Sequence, residues 1–209
     1  MKRSGQMKQT PVVGIFAGAA FCTAALLAAA VLSIFGTGTD GLRRALQVTA
    51  RFSFLLFWLA YAGGALKTLF GSAFQPIAWR GREFGLAYAS AHLIHVGLVV
   101  WLYQVSEQPP VSPSVFWFFS IGLFWTYLLA LLSIRRLAQA LGRVCFRILR
   151  FAGMEYISFA FLVDFVGHPL HADILNLILY VPFAILSVLG TFLRLTGWAS
   201  RGASITKSA

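Results

Sequence analysis

The chain has 209 residues, 59% hydrophobic and 15% aromatic, and only 11% are charged, under half the roughly 25% of an average soluble domain. Its net charge of +11 raises nucleic acid as a partner, but the Lys and Arg residues fall in clusters between long apolar runs. That pattern makes no basic stripe on a soluble fold, so it argues against nucleic-acid binding and for an integral membrane protein whose first partner is the lipid bilayer.

A bilayer core of about 30 Å needs about 20 mostly apolar residues per helix, and six runs meet that length, at 12–35, 46–70, 84–104, 114–134, 148–167 and 174–195. The segments between them, "GTGTDG", "GSAFQP", "SEQPPVSPS" and "GHPLHAD", are rich in Gly, Pro, Ser and Asp and read as turns. The expected fold is all-α, an integral membrane six-helix bundle over 12–195. Residues 1–11 form a short segment before it and 196–209 a tail after it.

Orientation follows from the basic residues, because cytoplasmic segments carry the excess. Fourteen of them, among them Lys2, Lys67, Arg80, Arg147, Arg150 and Arg194, belong to the N-terminus, the 2–3 and 4–5 connections and the tail. The opposite side holds Arg43, Arg44 and Arg51 and four of the carboxylates, Asp40, Glu107, Asp164 and Asp173. Both termini are therefore expected in the cytoplasm. "MKRSGQMK" before an alanine-rich run has features of a signal peptide, but the apolar stretch is longer than a signal core, and a retained first helix is expected. Cys22, in the first run, and Cys145, in the basic 4–5 connection, are read as structural, without a disulfide.

Within the third span, "SAHLIHVGLVVWLY" places His92 and His95 three residues apart. From an entry near Glu83, a rise of about 1.5 Å per residue puts them about 13 and 18 Å into the membrane. Positions i and i+3 share a helix face, so both rings are expected to point into the bundle rather than at lipid. Two chemistries fit. One of the histidines ligates a haem iron, or the pair hydrogen-bonds to neighbouring helices through groups such as Ser53, Tyr61, Ser90 or Tyr127. Two histidines on one face cannot take both axial positions of one iron, so a bis-histidine site needs a ligand from another helix.

The stretch "RGREFGLAYASAHLIHVGLVVWL" resembles the third helix of the ferric reductase-like transmembrane domain, and "TARFSFLLFWLAYAGGAL" resembles the second helix of a branch of that group. The resemblance implies a six-helix membrane protein that binds b-type haem and passes electrons. Setting Gly85 on the family glycine places His95 on the haem-ligating histidine, with His92 as its neighbour. In "FRILRFAGMEYISFAFLVDF" the chain departs from the family: Arg150 stands where the fifth helix should carry histidine. Arginine stays protonated and has no lone pair for iron.

Other candidates for that half of the site are weaker. His168 and His171 fall in the outer connection, about 27 Å from Arg150 by helical rise, and Met154 lies near the cytoplasmic side. With Asp164 and Asp173 the two outer histidines form at most an irregular divalent-metal set. Arg51, Arg147 and Arg150 are candidate partners of haem propionates, although snorkelling to headgroups accounts for each of them as well. Glu155 is expected to pair with Arg150 or Arg147.

The expected function is a haem-b electron-transfer protein of the bacterial inner membrane, with His95, His92 and Arg51 at the cofactor. No GxGxxG follows a strand, so the electron donor is expected to be a separate redox protein or a quinol. The rival reading is a divergent member that has lost haem and serves as a structural or partner-binding protein. A small transporter would show broken helices in two matching halves, and none is visible.

Overall fold

The computed structural model describes residues 9–167 and 174–206, and within these the chain is helical with no strand. Eight α-helices follow in order: α1 Gln9–Phe35, α2 Thr39–Phe70, α3 Gln75–Trp79, α4 Gly81–Val105, α5 Pro113–Leu132, α6 Arg135–Ala140, α7 Arg143–Gly167 and α8 Ile174–Thr206. A 3-10 turn, Gly71–Phe74, leads into α3.

Among the described residues, five segments are long and apolar enough to cross a membrane: Val13–Phe35, Thr39–Trp79, Gly81–Val105, Pro113–Leu132 and Ile178–Ser200. Large apolar side chains stand outward along them, among them Leu26, Ile34, Trp117, Phe124 and Leu195. In water so much exposed apolar surface would drive association, whereas in a bilayer it meets acyl chains. The chain is an all-helical, multi-pass membrane protein. The expected fifth span, α7, does not meet the same standard, because Arg143, Arg147, Arg150, Glu155 and Asp164 interrupt its 25 residues.

Several boundaries move relative to the sequence expectation. The first connection shrinks to residues 36–38, so Arg43 and Arg44 belong to the opening turns of α2. Gly36, at φ +79°, turns the chain, and a Cβ on Gly41 would run into the Gly36 carbonyl, so glycine at both positions allows the tight reversal. Asp40 in the first turn suits the positive end of the helix. "GSAFQP" is helical rather than an open turn, with Pro76 in the first turn of α3, where its missing N–H costs nothing. The 4–5 connection contains α6, and Cys145 lies on α7 rather than in a loop. Both cysteines are exposed free thiols. Residues 196–206, expected as tail, continue α8. The "GHPLHAD" connection, with His168, His171 and Asp173, lies outside the described residues.

The chain divides into two compact units. The first comprises residues up to Phe57 together with Arg82–Phe116. Here α1 presents Ala20, Ala24 and Ala28 at four-residue spacing. The first two meet Ala87 and Ala91 of α4, and Ala28 joins Leu42, Ala45, Leu98 and Leu102. Small side chains let helix backbones approach closely, and such packing replaces the hydrophobic drive that lipid does not supply.

The second unit comprises Trp58–Gly81 and Trp117–Ala209. The later part of α2 packs on α8 through Ala62, Ala65, Leu66 and Leu193. Gly190 of α8 lies under Trp58 and Tyr61, and Gly153 of α7 lies under Trp125 and Leu129 of α5. Trp58 Nε1 donates to the Leu186 carbonyl at 2.7 Å and Tyr156 donates to the Phe118 carbonyl at 2.9 Å. Each bond satisfies the polar end of a large ring within an apolar contact.

Candidate functional site

The candidate site is the face between α2 and α4 in the first unit. On α4, Tyr88, His92 and His95 recur at i, i+4 and i+7, and on α2, Thr49, Ser53 and Phe57 recur every four residues. These spacings put each set on one helix face. Contacts at both ends pin the two faces together. Phe57 and Tyr88 have ring centroids 5.4 Å apart, and Thr49 Oγ1 lies 3.1 Å from His95 Nδ1.

Along α4 the rings continue without interruption. Tyr88 meets His92 edge-on at 5.4 Å, and His92 and His95 have centroids 5.2 Å apart. The expectation that the two histidines share a face is met by this contact. The hydroxyl that holds one of them is Thr49, which is not among the groups the sequence proposed.

The Thr49 hydroxyl is itself committed. It is 2.9 Å from the Ala45 carbonyl and 3.2 Å from that of Leu46, one turn back on α2. With its one proton on a carbonyl it acts as acceptor toward the imidazole, and with that proton turned to Nδ1 it donates; the heavy-atom positions fit either arrangement. In the first arrangement His95 Nδ1–H donates to Thr49, the Leu46 carbonyl also lying beside the ring, and in the neutral ring Nε2 keeps the lone pair. A metal-binding histidine is typically held in this way, with one nitrogen anchored by the protein and the other left as ligand.

Between the two pinned ends lie Ser53 and His92. Ser53 is fully buried, and Ser53 Oγ and His92 Nδ1 are both buried atoms with no hydrogen-bond partner among the described residues. Unpaired buried polar groups are costly, so two of them in one interhelical face mark it as more than packing.

The remaining expected residues are distributed differently. Arg51 lies two residues from both Thr49 and Ser53, which at 100° per residue sets its Cα on the far side of α2 from that stripe. Arg150 and Met154 belong to α7, in the second unit. No group of three or more His, Cys, Asp or Glu able to hold a metal ion occurs among the described residues.

The second unit has its own polar cluster, and it corrects the expected partner of Glu155. Glu155 Oε1 pairs with Arg194 of α8 at 3.0 Å instead of Arg150 or Arg147, and Tyr61 donates to Glu155 Oε2 at 2.7 Å. The Arg194 guanidinium also lies 4.3 Å above the Tyr61 ring. Both carboxylate oxygens are thereby engaged, and α2, α7 and α8 are tied together. Arg147 and Arg150 follow Glu155 in reverse on α7, whereas Arg194 reaches it across the helix pair, a contact invisible to sequence spacing.

Comparison with protein-family models, curated proteins and solved structures returned no match.

Proposed function

We propose that this chain is an inner-membrane electron-transfer protein of the ferric reductase-like group, holding b-type haem through His95 Nε2. The observation that carries the reading is the Thr49–His95 contact, which fixes the ring from behind and, with Nδ1 protonated, leaves the Nε2 lone pair to ligate. The residues fit one axial position. His92, three residues away on the same face, packs against His95 and is read as the lining of the site. Arg51 remains a candidate for a propionate by reach of its long side chain. Haem would supply the one-electron chemistry, while this chain supplies the ligand and its orientation. A separate redox protein or a membrane quinol provides the electrons.

A second reading, a haem-free structural or partner-binding member, is favoured by one observation. Arg150 occupies the family position of the opposing histidine and is exposed on α7. The two readings part in a reduced-minus-oxidised absorption spectrum of protein purified after haem-replete expression. The haem reading expects b-type bands that vanish in His95→Ala and survive, broadened or shifted, in His92→Ala. Absence of bands from the wild-type protein supports the haem-free reading, and bands that persist in His95→Ala remove His95 as ligand.

A further inference from the structure

Five arginines fall between residues 135 and 150, and no Asp or Glu occurs between Glu107 and Glu155. Their counter-charge therefore does not come from the segment that bears them. The nearest carboxylate in the chain, Glu155, is already engaged by Arg194 and Tyr61.

The scaffold of this segment is ordered. Leu137 N and Ala138 N donate to the Ile134 carbonyl, Gly142 N donates to Gln139 O, and Phe146 N donates to Gly142 O. Gly142, at φ +75°, makes the turn from α6 into α7. On α7, Arg143, Arg147 and Arg150 recur at i, i+4 and i+7, and all three are exposed. One residue on, and so about 100° around the helix, runs a second stripe of Val144 and Ile148, exposed by 73% and 61%, which ends on Phe151, 41% exposed and stacked on Trp198 of α8. Leu137 and Leu141, also exposed, extend the apolar surface across α6.

A solvated helix end would not set an arginine stripe beside the exposed Val144 and Ile148, whereas the edge of a bilayer meets both. Acyl chains cover the valine, isoleucine and phenylalanine, and headgroups meet the guanidiniums. All the cations are arginine, whose planar fork matches phosphate oxygens two at a time. We infer that α6 and the first two turns of α7 form a binding surface for anionic phospholipid headgroups, with Arg143, Arg147 and Arg150 as the phosphate-facing residues. An acidic protein partner would account for the charges but not for the apolar stripe beside them.

The test is thermal unfolding of the detergent-purified full chain, titrated with phosphatidylglycerol and, separately, with phosphatidylcholine of the same acyl chains. Phosphatidylglycerol is expected to raise the midpoint well beyond phosphatidylcholine, and the difference shrinks as salt is raised. Arg143→Gln/Arg147→Gln loses most of that difference, whereas Arg43→Gln/Arg44→Gln, which removes equal charge elsewhere, keeps it. Equal responses to the two lipids, or an unchanged preference in Arg143→Gln/Arg147→Gln, would overturn the proposal. Should that variant fail to fold, native mass spectrometry of the wild-type protein decides: preferential retention of phosphatidylglycerol that salt reverses supports the surface, and equal retention removes it. A stabilisation by inorganic phosphate matching that of the lipid, or displacement of bound phosphatidylglycerol by polyglutamate at equal charge, also counts against a lipid site.

Discussion

Thr49 holds His95 from behind although it carries no charge and sits 46 residues away in the chain. Its hydroxyl has one proton, and when a carbonyl on its own helix takes it the imidazole donates. Replacing Thr49 with Val keeps the shape of the side chain and removes the acceptor. For a haem-loaded protein, Thr49→Val is expected to weaken retention roughly 10–100-fold, the usual effect of losing the group behind a ligating histidine. Haem content and Soret position after dilution measure it. A wild-type spectrum in Thr49→Val shows that the bond only packs. Ser53 offers a milder contrast, since its hydroxyl has no partner to lose among the described residues. Ser53→Ala is expected to leave the fold intact and to raise stability slightly in protein without haem, because an unpaired buried hydroxyl is a net cost.

Between helices, close approach and the Glu155–Arg194 ion pair make separate, measurable contributions. A Cβ on Gly153 would come 2.8 Å from Trp125 Cε3 and 3.0 Å from Leu129 Cδ1, so Gly153→Ala pushes α5 and α7 apart at a cost of about 1–3 kcal/mol. The detergent melting midpoint should fall accordingly, while Gly64→Ala, where an added Cβ meets open space, leaves it in place. The Glu155–Arg194 pair predicts a different signature. Side-chain exposures of 34% and 17% put it between a surface pair and a fully desolvated one, so Arg194→Met, which strands the carboxylate, is expected to cost about 1–3 kcal/mol. The double variant Glu155→Met/Arg194→Met should recover much of that loss, because no uncompensated charge remains. Thermal unfolding of the three variants tests it, and additive losses would mean that the pair contributes little.

At the scale of the whole molecule, the number of crossings sets where the termini lie, and α7 is the helix on which the number turns. An even count returns the C-terminus to the side of the N-terminus, and an odd count leaves it opposite. The basic residues of the N-terminus, both inner connections and the tail favour six crossings with both ends in the cytoplasm. Its two engaged carboxylate oxygens remove much of the cost of carrying Glu155 through lipid. Reporter fusions at the two ends are expected to give the same, cytoplasmic signal. Opposite signals would place α7 along the surface and leave the five apolar helices as the crossings.

The membrane class, the helical content and the shared face of His92 and His95 were legible in the sequence. They depend on composition and on a 3.6-residue period, which are local properties. Helix ends were less legible, since Gly36, Gly41 and Asp40 start α2 ahead of its apolar run, and a hydropathy window does not see a tight reversal. Neither the Thr49 acceptor behind His95 nor the Arg194 partner of Glu155 was legible at all. Both depend on which faces of distant helices meet, and that is decided by where alanines and glycines allow close approach. The sequence by itself determined a helical membrane protein with an imidazole pair on one helix face. Tertiary structure alone decided what stands behind His95, because that depends on a hydroxyl carried by another helix 46 residues away.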